Sequence, residues 1–254
     1  MLQIERHERI TNAINQNGFM GIDDIVSKLG ISRSTVHRDL CELEKMHQIL
    51  RIRGGAVSLN KSISHEPPLE LRRDSQLEEK QRIANAALQF VNERDTVLLD
   101  SGTTTIELAR LFSSFGNLMV ATYDLFIANE LSNMQNITLL VIGGVQRKRF
   151  NTLIGYFSEV VINQIHADTL FLSVDAIDIA HGCMNYNIEE ISVKKALMRS
   201  AKKVIVLCDH TKFETIAFIN TYNINEVNTI ITGKEARPET INQLREMGVD
   251  VILV

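Results

Sequence analysis

The chain has 254 residues, 44% of them hydrophobic, which is enough for one small and one medium domain with separate cores. Glu5, Arg6, His7, Glu8 and Arg9 stand where a secretory signal would need an apolar run, and no stretch approaches the roughly eighteen apolar residues of a membrane span, so a soluble cytoplasmic protein is expected. Cys41, Cys183 and Cys208 form no CxxC pair, which argues against a disulfide framework or a thiolate metal site, and the net charge of −4 divides into +1 over residues 1–60 and −5 over the rest.

Residues 1–59 predict three helices and a hairpin. Ile4, Ile10, Ala13 and Ile14 recur at helical spacing before a stop at Asn17-Gly18. A second helix runs from about Ile22 to Leu29, with Asp23 and Asp24 in its first turn, Ile25, Val26 and Leu29 on its apolar face and Gly30 at its end. Ser32 suits the N-cap of a third, which turns Val36, Leu40, Leu43 and Met46 inward. Ile49 to Arg53 alternates as a strand, Gly54-Gly55 makes a tight turn, and Ala56 to Leu59 returns as a wing.

From Asn60 to Leu77 the periodicity fails and Pro67-Pro68 blocks helix, so residues 60–77 are expected to be a linker that enters a helix near Gln76. Over residues 78–254, short bulky runs at 96–99, 118–122, 137–142, 169–174, 204–208, 228–231 and 249–253 read as strands buried on both faces. Helical patterns at 105–112, 125–131, 190–201 and 238–247 lie between them. A doubly wound, mostly parallel α/β domain is predicted.

Two stretches carry chemistry. Ser32, Arg33, Ser34, Thr35, His37 and Arg38 put hydroxyl, guanidinium and imidazole donors at the start of a helix that could enter a DNA major groove, with Arg51 and Arg53 on the wing; the bland alternative is a solvated helix face. The modest positive charge allows several phosphate contacts but not strong non-specific binding by a monomer. Asp100, Ser101, Gly102, Thr103, Thr104 and Thr105 follow a strand and open a helix, so their amides and hydroxyls suit a phosphate; a Ser/Thr cluster that merely caps the helix is the alternative.

Three more polar segments follow strands and should gather at the same sheet edge: Thr122-Tyr123-Asp124, Ser173 to Ala176, and Cys208 to Lys212. Asp175 and Asp209 could accept sugar hydroxyls, and Lys194 could approach a phosphate, although Glu190 and Lys194 could equally be a surface i,i+4 pair and Lys212 a solvated loop residue. Cys208 and His210 are merely adjacent, so no metal is expected.

The run from Gly18 through Ser32 to Leu40, Leu43-Glu44 and Arg53 to Ala56 resembles the DeoR family of bacterial regulators. The likeness continues through Glu79-Lys80, Ile83-Ala84, Leu99 to Thr105, Gly143-Gly144 and Asp209 to Phe213. It implies a winged helix-turn-helix joined to a sensor domain similar to ribose-5-phosphate isomerase. It also implies binding of operator DNA and a phosphorylated sugar, repression of a carbohydrate-utilisation operon, a homodimer or homotetramer, and no cofactor. Gly143 and Gly144 join the expected effector site on that likeness alone. Tyr123 stands where asparagine is common, Ser173 and Ala176 where glycines are, and His37 where arginine is, so sugar identity and operator preference are not inherited. The alternative is a sugar-phosphate isomerase or amino-sugar-phosphate deaminase with Asp175, Glu190 and Lys194 as acid/base groups, a reading in which residues 1–59 have no use.

Overall fold

The computed structural model describes residues 2–46, 48–52, 54–58, 66–67, 69–148 and 150–254. The chain divides into two compact units, residues 1–74 and 75–254.

The first unit is built from α1 (Gln3–Asn17), β1 (Phe19–Gly21), α2 (Ile22–Leu29), α3 (Arg33–Lys45), β2 (Ile49–Ile52), β3 (Gly55–Ser58) and α4 (Leu69–Asp74). α2 has the predicted bounds because its ends are chemically marked: Asp24 reaches back to the Gly21 amide, and Gly30 terminates the helix in the left-handed conformation at φ 63°. Ser32 caps α3 by accepting from the Thr35 amide at 3.2 Å. Ile10, Ala13, Ile14, Ile25, Val36, Leu40, Leu43 and Ile49 form one core.

Met46, expected to turn inward, is 57% exposed, and Ile4, the first residue of the α1 spacing, is 82% exposed; each lies at a helix terminus. The strands form a three-stranded sheet in the order β1-β3-β2, and β1 was not expected: three residues are too few to show a period. That strand explains Gly55, where a Cβ would sit 2.3 Å from the Met20 carbonyl oxygen. The expected linker also contains a short helix, α4, immediately after Pro67-Pro68. Arg53 and Leu59 lie outside the described residues.

The second unit opens on α5 (Leu77–Ala87), then β4 (Thr96–Leu99), α6 (Thr103–Arg110), β5 (Leu118–Thr122), α7 (Leu125–Leu131) and β6 (Ile137–Val141). A hairpin of β7 (Val145–Gln146) and β8 (Leu153–Ile154) precedes α8 (Tyr156–Ile162) and β9 (Ala167–Leu172). After these come β10 (Ala176–Asp178), β11 (Gly182–Asn185), α9 (Ile191–Ser200), β12 (Ala201–Leu207), β13 (Ile219–Tyr222), β14 (Thr229–Thr232), α10 (Pro238–Glu246) and β15 (Asp250–Leu253). Seven strands form one parallel sheet in the order β15-β14-β12-β9-β4-β5-β6. Val97, Leu98 and Leu99 are all fully buried, as the uninterrupted apolar runs require of strands covered on both faces. α8, α9 and α10 contribute Ile162, Val193, Leu197 and Leu244 to the core on one face.

β4 feeds β5 and β6 to one side, while β9, β12, β14 and β15 build outward on the other. The strand order reverses between β4 and β9, and the carboxyl ends of strands at such a reversal are the place where open α/β sheets bind ligands. An antiparallel three-stranded sheet, β10-β11-β13, and the β7-β8 pair lie outside the main sheet. Neither was expected, since strands of two to four residues carry little periodicity.

Candidate functional site

On the first unit, α3 exposes Ser32, Arg33, Ser34, His37, Arg38 and Lys45 to solvent, with Thr35 and Cys41 half-buried. Ser34, His37/Arg38, Cys41 and Lys45 therefore form one stripe at helical spacing, and the third and fourth turns extend it beyond the expected residues. Arg33 Nη2 lies 3.1 Å from Asp23 of α2, an exposed pair of little energetic weight. Arg51 turns back toward α3: its Nη1 is 2.5 Å from Cys41 Sγ, and its backbone amide donates to Glu44.

The inner side of α3 is fixed by a charge. Asp39 is fully buried and accepts from Arg6 Nε at 2.5 Å and Nη2 at 2.8 Å, with His7 Nε2 at 3.2 Å. Burial pushes this carboxyl up, but Arg6 and His7 outweigh it and hold it below the ordinary carboxylate value. Arg6 and His7 of α1 thus tie the first helix to the back of the third, a link across more than thirty residues that sequence reading missed.

On the second unit, Asp100 directly follows β4 and is completely buried. Its Oδ1 accepts from the Tyr123 hydroxyl at 2.5 Å; its Oδ2 accepts from Lys194 Nζ at 2.5 Å and from the Ser173 amide at 2.8 Å. Asp100, Tyr123 and Ser173, which follow β4, β5 and β9, and Lys194 of α9 thus meet at one carboxylate. Burial lowers the Lys194 ammonium's pKa, but the Asp100 carboxylate more than reverses this and holds it above its ordinary value, while burial pushes the Asp100 carboxyl itself up against the pull of Lys194, Tyr123 and the Ser173 amide. The phenol of Tyr123 is pushed well up by burial and by Asp100. Held by three donors, Asp100 ties the segments after β5 and β9 to α9.

Glu190 and Lys194 are both buried and have separate partners, so the alternative of a surface pair is not what forms. Glu190 Oε1 accepts from Arg147 Nη1 and from the Thr152 hydroxyl, each at 2.9 Å. Arg147, absent from the sequence expectation, is nearly buried and lies over the Phe150 ring at 3.7 Å from its centre. The Leu153 amide donates to the Tyr123 carbonyl and the Leu125 amide to that of Asn151, so the hairpin segment lies alongside the β5–α7 connection.

The loop after Asp100 is tightly built. Gly102 caps α6 in extended conformation, and a Cβ there would fall 2.2 Å from Ser173 Oγ. The Thr105 hydroxyl is shared between the Asp100 and Gly102 carbonyl oxygens at 2.8 Å each. Ser101 Oγ donates to Asp124 Oδ2 at 2.5 Å, while Asp124 Oδ1 caps α7 by accepting from the Phe126 and Ile127 amides. Thr103 and Thr104 sit in the first turn of α6, whose leading amides have no acceptor within the helix. Their hydroxyls have no hydrogen-bond partner among the described residues.

Each of the remaining expected residues has its own setting. Thr122 is buried and its hydroxyl accepts from the Asp124 amide. Gly144 packs where a Cβ would meet Ser158 Oγ at 2.2 Å, whereas Gly143 faces open space. Asp175 accepts from Asn185 Nδ2 and the Tyr186 amide. Asp209 accepts from Thr211, and Lys212 is half-buried in that loop. The loop is pinned from α5: Glu79 accepts from the amides of His210 and Gly233 and lies 2.7 Å from His210 Nδ1. Burial pushes the Cys183 thiol up to about 12 and Cys208 well above its usual value, as expected of inert core thiols.

A three-helix unit with a sheet-borne wing, followed by an α/β domain with polar residues gathered at its strand-order reversal, defines a DNA-binding regulator with a sensor domain. The pattern described as a DeoR-like helix-turn-helix domain matches residues 6–62, and that of the DeoR C terminal sensor domain matches residues 75–234. The chain is 32% identical over 251 residues to the putative aga operon transcriptional repressor of Escherichia coli O157:H7, covering 98% of this chain and 93% of that one. It is 30% identical over 232 residues to the glycerol-3-phosphate regulon repressor of E. coli K12, covering 91% of each. It is likewise 30% identical over 251 residues to the regulator GolR of Listeria innocua, covering 99% and 98%. The chain belongs to the DeoR family of transcriptional regulators, and is a regulator rather than an enzyme. Among solved structures, ribose 5-phosphate isomerase A from Neisseria gonorrhoeae aligns with 56% of this chain and 55% of its own, at 13% identity and TM-score 0.41.

Proposed function

We propose that this regulator represses a carbohydrate-utilisation operon, that two or four copies bind its operator, and that a phosphorylated sugar at the strand-order reversal modulates that binding. The observation that carries the reading is the loop Ser101–Thr105, which brings the first turn of α6 and two uncommitted threonine hydroxyls to the strand-order reversal. The named relatives control an aga operon and a glycerol-3-phosphate regulon, which fits an anionic metabolite. Thr103 and Thr104 hold the phosphate; Asp175, Asp209 and Lys212 face the sugar; Asp100, Tyr123 and Lys194 keep the site in shape. On the operator, α3 reads bases through Ser34, His37 and Arg38, while Arg33, Arg51 and Arg53 attend to phosphates. No helix among the described residues is long and apolar enough to cross a membrane, consistent with a cytoplasmic regulator.

Fluorescence anisotropy with the promoter DNA of the adjoining operon, with and without pentose, hexose and amino-hexose phosphates, tests the proposal. A ligand at about one hundred times its Kd adds roughly 2.7 kcal/mol, visible as a thermal shift. Thr103→Val with Thr104→Val removes that shift and leaves operator binding intact. Failure of the chain to bind any such DNA at low salt overturns the reading.

A further inference from the structure

The main sheet has two edges of different character. β15 begins on Asp250 and its end is met by Lys234, whose amide donates to the Val254 carbonyl. β6, at the other edge, pairs only with β5 among the described residues. Its sequence, Ile137-Thr138-Leu139-Leu140-Val141, contains no charge and no proline. Thr138 and Val141 are exposed, and the other three are half-buried.

The absence of charge reaches further than the strand. Between Glu130 and Arg147 lie sixteen consecutive residues without Asp, Glu, Lys or Arg, in a chain of which 23% is charged. Natural sheets guard an open edge with charges, proline or a bulge, and β6 has none of these. Beyond its carboxyl end, Val145 of β7 pairs with Ile154, two residues before Tyr156. Tyr156 and Phe157 pack edge to face at 5.8 Å and are 75% and 68% exposed, a large apolar surface to leave in water.

We propose that this edge docks a second copy of the chain, β6 against β6 in antiparallel pairing about a two-fold axis, flanked by Val145, Tyr156 and Phe157. The occupant follows from the charge pattern. In a two-fold interface every residue near the axis faces its own twin, so any charge there meets itself, and a neutral run is the self-complementary solution. A different partner imposes no such condition, since its surface can carry the opposite charge. The modest cation content of residues 1–60 points the same way, because paired recognition helices reach two half-sites. The inference rests on the reading that more than one copy binds the operator.

The test is sedimentation equilibrium of the full chain without DNA, comparing wild type with Thr138→Lys/Val141→Lys. Both positions are exposed, and an unchanged circular dichroism melt establishes that the variant folds. The expected result is a wild-type oligomer whose mass falls by half in the variant. An unchanged mass overturns the edge while the multi-copy reading stands; a monomeric wild type overturns both. Should the lysines alter the melt, Thr138→Cys in a Cys41→Ser background is treated with a short bismaleimide, with Glu246→Cys on α10, which packs beside β15, as control. A covalent dimer from position 138 and none from 246 is expected; equal yields overturn the proposal.

Discussion

Lys194 Nζ lies 2.5 Å from Asp100 Oδ2, ninety-four residues away in sequence, and neither side chain reaches solvent. A buried ion pair is only weakly stabilising as a whole, but removing one partner strands the other as an uncompensated charge. Lys194→Met or Asp100→Asn alone is therefore expected to lower unfolding stability by about 3–5 kcal/mol, and the double variant to lose much less than the sum. Urea denaturation of the four proteins checks this, and simple additivity would contradict the pairing.

Gly102 and Ser173 touch so closely that a side chain at one excludes the side chain at the other. Gly102→Ala is expected to cost about 1–3 kcal/mol by overpacking, since φ there is extended and imposes no strain of its own. Adding Ser173→Gly opens the space and restores most of that loss in thermal melts, whereas Ser173→Thr makes it worse.

His37 is exposed at the middle of the polar stripe of α3. His37→Arg supplies a permanent cation, so the slope of log affinity against log salt is expected to steepen by about 0.9 if the new side chain reaches a phosphate. Arg38→Ala moves it in the opposite direction. Anisotropy titrations across a salt series read both, and Ser32→Ala gives a stability control, losing about 1 kcal/mol through the α3 cap.

Asp39 has a lowered pKa in the folded state. A group of this kind contributes stability that is fully present above its unfolded value, about 3.9, and is lost as pH falls through the folded value. Denaturation of the first unit should therefore steepen below about pH 4, and Asp39→Asn should be less stable at neutral pH with a flatter acid profile. Identical acid profiles for the two proteins would contradict the Arg6–Asp39–His7 link.

Local chemistry made much of this legible before any fold was seen. Asp24, Gly30 and Ser32 mark helix ends within a few residues of the groups they satisfy, and runs such as Val97 to Leu99 show burial directly. The loop Asp100–Thr105 was readable for the same reason, as a strand end followed by a helix start rich in hydroxyls. What escaped reading joins distant parts of the chain: Lys194 to Asp100, Arg147 to Glu190, Arg6 to Asp39, Glu79 to His210. No periodicity encodes such a pair, because each partner looks locally like an ordinary helix or loop charge. Lys194 was recognised as a site residue, but nothing near it in sequence announces the Asp100 carboxylate it meets. The short strands β1, β7, β8, β10, β11 and β13 were missed because they exist only through their pairing.

The Ser101 hydroxyl owns a single proton, and Asp124 receives it. Asp124 also secures the first amides of α7, so the hydroxyl and the helix start share one carboxylate. A phosphate that draws the Ser101 proton to itself leaves that carboxylate one donor short, and the loss is felt at Phe126 and Ile127. Amide hydrogen exchange at those two residues would thus record effector occupancy, a built-in reporter needing no label on the ligand and no DNA.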